Sequence, residues 1–277
     1  MKIWIDGYEA NTPQRLGSSQ VAFELIKSFE KIDHENDYTI LLPSSPMDDL
    51  PKTRKGFQYK ILKPKKLWTR IALPLALYST KQKPDVFFSP THYIPRFSPV
   101  KRVVTIFDLS FLHFPQMFER GDLYKLSNWT KFSIKNANHI ITISNFSKAD
   151  IIKEYGVNKN EQSSLSDKIT VAYPGFNQNN FRLINDQNKI KEVLDKYNIK
   201  DSYIIYIGTI QPRKNLIRLM EAVARIPSIN LVIVGKTSGQ GKMGWMYEET
   251  LQTPKRLGIS NRVKFLGFVP TEDLPYL

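Results

Sequence analysis

The sequence predicts a doubly wound α/β fold, on three observations. Short apolar runs rich in Ile, Val and Phe recur along the whole chain, patterns with helical period lie between them, and one polar seam divides the series in two. The runs are KIWID (2–6), YTILLP (38–43), DVFFSP (85–90), VVTIFDLS (103–110), HIITIS (139–144), KITVAYPG (168–175), SYIIYIGT (202–209), INLVIVGK (229–236) and VKFLGFV (263–269). Most are apolar on successive residues instead of alternating, as strands buried on both faces of a parallel sheet are.

After Gly17, the residues Val21, Ala22, Leu25, Ile26, Phe29 and Ile32 share one helical face, and so do Leu216, Leu219, Met220, Val223 and Ile226 after Asn215. Residues 189–197 form another candidate helix. Strand and helix alternate, so the predicted architecture is two Rossmann-like parallel-sheet domains. Residues 157–167 read as a polar surface loop. The Asn-rich stretch after Pro174-Gly175 sets the boundary, giving domains 1–175 and 176–277. The second has three strands, against a mean of about 5–6 for a sheet, so it is expected to be incomplete. Thr271 is expected to cap a last helix.

With 277 residues, 41% of them apolar, the chain can bury a real core. It has no cysteine, which excludes disulfides and Cys-based zinc sites. Asp6 interrupts the N-terminal apolar run, so no secretion signal is expected. The apolar stretch 71–78 is far short of the ~20 residues of a spanning helix. A cytoplasmic protein is expected.

The formal charge is +14, which favours anionic partners. From Pro51 to Pro84 there are ten basic residues and no acidic one. A solvated face is one reading of that run. The other is an anionic membrane surface as partner, met through Lys63, Lys65, Lys66, Trp68 and Arg70 on the inner membrane face. There is no RNP motif, zinc finger or helix-turn-helix spacing, so nucleic acid is not expected as a partner.

In open parallel sheets ligands bind outside the carboxyl ends of the strands. Two such loops carry glycine before a helix: Gly7 to Ser19 and Gly208 to Asn215. A helix N-terminus offers unpaired N–H groups and a partial positive charge. Asn215 is expected to cap the second helix, with Arg213 and Lys214 beside it. Both could be plain surface cations at a turn. Yet a cation at a positive helix end costs about 0.3–1 kcal/mol, and an anionic ligand reverses that sign. Neither loop fits the dinucleotide fingerprint or the P-loop. His34, His92, His113 and His139 are scattered, and no Asp-x-Asp ends a strand, so no metal and no cofactor are expected. Asp33, Glu35 and Asp37 read as a solvated turn.

The segments YIIYIGTIQPRKNLIRLMEAVARI, LVIVGK and RLGISNRVKFLGFVPTEDLPYL, with VVTIFDLSFLHFP, ITISNFSKADI and ITVAYPGFN before them, resemble the family-four retaining glycosyltransferases in order and in kind. The N-terminal half also resembles that family's bacterial polysaccharide, mannosyltransferase-like branch. The resemblance implies a GT-B fold, an N-terminal acceptor-side domain, a C-terminal nucleotide-sugar domain, and metal-independent transfer of a hexose to a glycan or lipid-linked acceptor. It implies that Arg213 and Lys214 carry catalysis by gripping the donor diphosphate. The same likeness places Gly17, Ser18, Asp108, Ser144, Gly208, Thr209, Asn215, Gly235, Lys236, Phe268 and Val269 around donor and substrate. Three departures stand out. Phe107 occupies the place of a family histidine, Ser19 stands near a usual glycine, and the family's Glu-x7-Glu segment is absent from this sequence. The last raises an alternative, a catalytically incompetent truncated fragment or one half of a split enzyme.

Overall fold

The computed structural model describes residues 1–15, 17–200, 202–235 and 248–277. The chain divides into two compact units, one of residues 1–115 and 120–174, the other of residues 116–119 and 175–277.

The first unit runs β1 (Lys2–Asp6), α1 (Ser18–Ile32), β2 (Asp37–Leu42), β3 (Phe57–Ile61), a π-helical turn (Trp68–Ala72) leading directly into α2 (Leu73–Ser79), β4 (Val86–Ser89), β5 (Lys101–Ile106), α3 (Ser110–His113), α4 (Arg120–Asn136), β6 (His139–Thr142), α5 (Asn145–Tyr155), α6 (Lys159–Asp167) and β7 (Ile169–Val171). Its seven strands are all parallel, in the order β3-β2-β1-β4-β5-β6-β7. Strand order reverses at β1, which pairs with both β2 and β4. In such sheets the crevice outside that reversal is the ligand site.

The packing explains the unbroken apolar runs. Ile5, Ile40, Leu42 and Phe88 pack with α1 residues Ala22, Phe23 and Ile26. Their neighbours Trp4, Leu41 and Phe87 point the other way and pack with Trp68, Leu73 and Leu77. Because successive side chains leave opposite faces, both sets must be apolar.

The second unit runs α7 (Gln187–Lys196), β8 (Tyr203–Ile207), a 3-10 turn (Pro212–Lys214), α8 (Leu216–Ala224), β9 (Asn230–Val234), α9 (Glu248–Arg256), β10 (Val263–Gly267) and a 3-10 turn (Leu274–Tyr276). Its strands are parallel in the order β10-β9-β8. Leu231 and Ile233 pack with Leu216, Met220 and Val223 on one face, and Val232 and Val234 with Ile199 and Val269 on the other.

Several expectations change. Residues 157–167 are not a loop: α6 spans most of them. Asn158 accepts the Glu161 N–H at 3.0 Å, and the Glu161 carboxylate accepts the Val157 N–H at 3.0 Å. That reciprocal capping starts a helix that has no apolar stripe to announce it. Strand β3 lies inside the basic run, where no strand was expected. Thr271 caps no helix, since a turn leads there to Leu274–Tyr276, flanked by Asp273. Ile32 and Ile226, assigned to buried helix faces, are exposed. Asp33 is more than a solvated turn residue, for it accepts hydrogen bonds from the Glu35 and Asn36 backbones, the Asn36 amide and the Tyr38 hydroxyl.

Gly235 closes β9 where the Gly208 backbone passes. A Cβ at 235 would overlap the Gly208 carbonyl oxygen. We expect Gly235→Ala to destabilise the protein by about 1–3 kcal/mol through overpacking, read as an equal drop in chemical-denaturation stability.

Candidate functional site

In the first unit the loops after β1, β4, β5 and β6 gather at the carboxyl ends of adjacent strands. Asp6 ends β1. Its Oδ1 accepts the Tyr8 N–H at 3.0 Å and the Trp68 indole N–H at 2.9 Å. Burial raises its carboxyl pKa to about 6, the two donors oppose that shift, and neighbouring Glu9 adds to it. Glu9 is half-buried, and burial raises its pKa too, against the Ser18 hydroxyl, which donates to Oε2 at 3.3 Å. Ser18 opens α1 behind Gly17, whose φ of 56° belongs to the left-handed region that suits glycine. Gly17 and Ser18 therefore sit on the β1 loop beside the strand-order reversal, with Glu9 reaching Ser18.

After β4 comes His92. Its Nε2 accepts the Phe107 N–H at 3.1 Å, and its ring stacks on Phe107 with centroids 5.6 Å apart. The ring nitrogens are enclosed, and burial lowers the His92 pKa to about 4, with Asp108 pulling it up. Asp108 is exposed on the loop after β5, where its carboxylate accepts the Ser110 N–H at 2.9 Å. Ser144 spends its oxygen on α5: it accepts the Ser147 N–H at 3.0 Å as the helix cap. The Ser147 hydroxyl donates in turn to the Phe107 carbonyl at 2.8 Å, which ties the β5 and β6 loops together. Sequence spacing missed His92 and Glu9, because each acquires a partner only through the fold.

His113 also gains partners. Its Nε2 lies 2.9 and 2.8 Å from the two carboxylate oxygens of Asp150, and Glu154 completes a group whose ligand atoms all lie within 4.8 Å of one another. Counted along the chain the histidines are scattered, yet this one meets two acids across α3 and α5. The hydrogen bond between His113 and the Asp150 carboxylate accounts for the contact.

Trp68 is a correction. Assigned to a membrane-facing surface, it is 7% exposed, packs in the core beneath β1, β2 and β4, and holds Asp6 through its indole. An indole buried in the core and hydrogen-bonded to Asp6 cannot also face lipid.

In the second unit, Gly208, Gly235 and Gly267 end β8, β9 and β10 side by side: Gly208 N–H donates to Val234 O and Gly235 N–H to Gly267 O. Thr209 follows, its carbonyl taking the Tyr206 hydroxyl at 3.2 Å. The turn Pro212–Lys214 then presents Arg213 and Lys214 to solvent. Arg213 Nε donates to Gln211 at 3.0 Å, and among the described residues neither cation meets a carboxylate. Asn215 holds a left-handed conformation (φ 56°, ψ 37°) at the head of α8 but makes no side-chain cap bond. The expected side-chain cap is thus missing, and among the described residues no side chain meets the first N–H groups of α8. Phe268 is exposed, whereas the Val269 side chain is buried in the core, which leaves its backbone alone to meet a ligand. Lys236 lies outside the described residues.

The family description Glycosyltransferase Family 4 matches residues 17–179. The chain belongs to that family. Residues 186–277 match the description Glycosyl transferases group 1. The O-antigen chain mannosyltransferase B of Escherichia coli is 27% identical over 197 residues, which cover 70% of this chain and 49% of that protein. A D-inositol 3-phosphate glycosyltransferase of Mycobacterium sp. (strain JLS) is 30% identical over 107 residues, 39% of this chain and 24% of that protein. The chain thus spans half or less of the curated relatives it matches. Among solved structures, sucrose-phosphate synthase from Thermosynechococcus elongatus superimposes with a TM-score of 0.72 at 15% identity, over 100% of this chain and 72% of that one. Anabaena HepE in complex with UDP-glucose gives 0.66 at 18%, over 99% and 70%. The fold is of the GT-B type.

The enclosed His92 sets a pH dependence. Its folded pKa is below the unfolded 6.5, so from pH 6.5 down towards 4 the unfolded chain takes up a proton that the folded one refuses, and stability falls. Asp6 acts oppositely between about 6 and 3.8, because its folded carboxyl holds the proton more tightly. Comparing wild type with His92→Gln, whose amide oxygen can still accept the Phe107 N–H, cancels the Asp6 contribution. Between pH 7 and pH 5 the wild type should lose about 2 kcal/mol more than the variant in urea titrations.

Proposed function

We propose that this chain takes part in retaining transfer of a hexose from a nucleotide diphosphate-sugar to a glycan or lipid-linked acceptor in polysaccharide biosynthesis. The observation that carries the reading is the head of α8. Two solvent-facing cations without carboxylate partners stand beside an uncapped helix N-terminus, at the carboxyl end of β8. That arrangement is electrostatically unfavourable alone and favourable around an anion.

The chemistry follows from charge. As the bond from sugar to phosphate breaks, negative charge grows on the leaving diphosphate oxygen. A fixed guanidinium at Arg213, an ammonium at Lys214 and the open N–H groups of α8 stabilise that growing charge more than the ground state. Arg also suits phosphate geometry by bidentate donation. Gly208, Thr209, Gly235 and the exposed Phe268 border the same strand ends and supply room for the rest of the nucleotide. In the first unit, Gly17 and Ser18 at the head of α1 would approach the donor phosphate or sugar, and Asp108 lies on the loop after β5. Mannose as the sugar is supported by the likeness to a mannosyltransferase, and a uridine carrier by the UDP-glucose in the Anabaena neighbour.

We also propose docking on an anionic membrane surface. Lys63, Lys65, Lys66 and Arg70 are exposed, and the apolar partners are Leu67, Ile71, Leu75 and Tyr78, exposed along the π-helical turn and α2. Leu67 and Leu75 are 56% and 58% exposed, while Ala72, Leu73, Ala76 and Leu77 line the buried face of the same segment. No helix among the described residues is long and apolar enough to cross a membrane.

Calorimetric titration with GDP, UDP and ADP tests the donor site. One nucleotide should bind, and Arg213→Ala/Lys214→Ala should weaken it by about tenfold or more. No binding by the folded wild type would overturn the donor reading. Leu67→Glu/Leu75→Glu should lower co-sedimentation with anionic vesicles while leaving the melting temperature unchanged, because both side chains already face water.

A further inference from the structure

The first unit holds a small, half-open pocket between the π-helical turn, the segment after β4 and α4, lined by Thr69, Arg70, Tyr93, Arg96, Trp129 and Phe132. Its two cations are held by aromatic rings. The Arg70 guanidinium carbon lies 4.7 Å from the Trp129 ring centroid, and that of Arg96 lies 5.0 Å from the Phe132 centroid. Tyr93 packs edge-on to Trp129 at 5.4 Å. Among the described residues neither guanidinium is ion-paired or hydrogen-bonded through its side chain. Each ring holds its guanidinium by a cation–π contact, and with no other side-chain partner among the described residues the N–H donors are open to an oxyanion. Glu9 and Asp122 are near enough to raise the Tyr93 pKa, to about 12 with burial as the larger cause, yet neither carboxylate pairs with either arginine.

We infer that this pocket binds the phosphate of a membrane lipid, with Arg70 and Arg96 as its ligands. Three observations select that chemistry. Two unpaired arginines call for an oxyanion of at least one full charge. The enclosed space is about 30 Å³ and opens to solvent, which suits a small anionic head with the rest of its molecule outside. Each arginine adjoins an exposed apolar residue in sequence, Arg70 beside Ile71 and Arg96 beside Phe97, so an apolar tail attached to the phosphate meets apolar surface on leaving the pocket. The basic run from Pro51 to Pro84, without one acidic residue, extends the complementarity to a bilayer. The site goes beyond the surface docking proposed above, for it adds a discrete headgroup pocket to a diffuse charge.

The test is co-sedimentation of the full chain with phosphatidylcholine vesicles containing phosphatidic acid, against vesicles of equal charge containing phosphatidylserine, and against phosphatidylcholine alone. Wild type should prefer the phosphomonoester lipid, and Arg70→Gln/Arg96→Gln should lose about tenfold in affinity for it. Arg70→Lys/Arg96→Lys, which keeps the charge and loses the fork, should lose the preference. Wild-type behaviour in either double variant overturns the pocket, the second by showing that charge alone is read. Inorganic phosphate is titrated separately with tryptophan emission as readout and Trp129→Phe as control. A Trp129 response to free phosphate as tight as to the lipid overturns the lipid assignment in favour of a tailless phosphate. Both variants leave Arg213 and Lys214 in place, so nucleoside diphosphate affinity should be unchanged. Failure of the pocket therefore leaves the donor reading standing, and failure of the donor titration leaves the pocket standing.

Discussion

Each strand in both sheets runs parallel to its neighbours. A parallel pair cannot be closed by a tight turn, so every strand is followed by a crossover and every loop leaving a carboxyl end emerges on the same edge of its sheet. Much else depends on this. It buries both faces, which demands unbroken apolar strands. It also collects on one edge residues that are far apart in the chain: Asp6, Glu9, His92, Asp108 and Ser144 in the first unit, Gly208, Arg213 and Gly235 in the second.

The two edges are built differently. In the first unit the strand ends carry buried ionisable groups that the fold satisfies internally. Trp68 holds Asp6, Ser18 holds Glu9, and the Phe107 N–H holds His92. In the second unit the equivalent edge is held by glycine backbone, and Arg213 and Lys214 face solvent there with no carboxylate partner among the described residues. A surface that has settled its own charges suits neutral hydroxyl groups, and one that has not suits an anion.

Nine of the ten strands and the helices α1, α7 and α8 were legible in the sequence because burial leaves a plain mark, whereas α4, the longest helix, was not expected: its few buried residues, Thr130, Ser133 and Ile134, make no apolar stripe. Each of the nine apolar runs became a strand. What failed to show has physical reasons. Strand β3 is a partly buried edge strand, and its Lys60 lies over the Trp4 ring, so a basic run hid it. Helix α6 rests on its caps and carries no buried residue. Trp68 was misassigned because a tryptophan among lysines is the pattern of a membrane face, and its hydrogen bond to Asp6 spans 62 positions. The cations Arg213 and Lys214 were legible from their place after a strand-ending glycine. The aromatic grip on Arg70 and Arg96 was not, since α4 supplies it from some 35 to 60 residues away.

The π-helical turn at Trp68–Ala72 is equivalent to one residue inserted into a regular helix. Losing that residue would restore α-helical winding and rotate everything upstream by about 100° about the helix axis. Trp68 would swing off Asp6, and a buried carboxylate would lose its indole partner. The segment therefore has an asymmetric mutational landscape. Point changes on its outer face alter only what the protein can touch, whereas a single-codon deletion severs the outer face from the core at once. Changes at residues 67, 71, 75 and 78 should therefore leave folding intact whatever they do to contacts outside, and a change in the length between Trp68 and Leu73 should not.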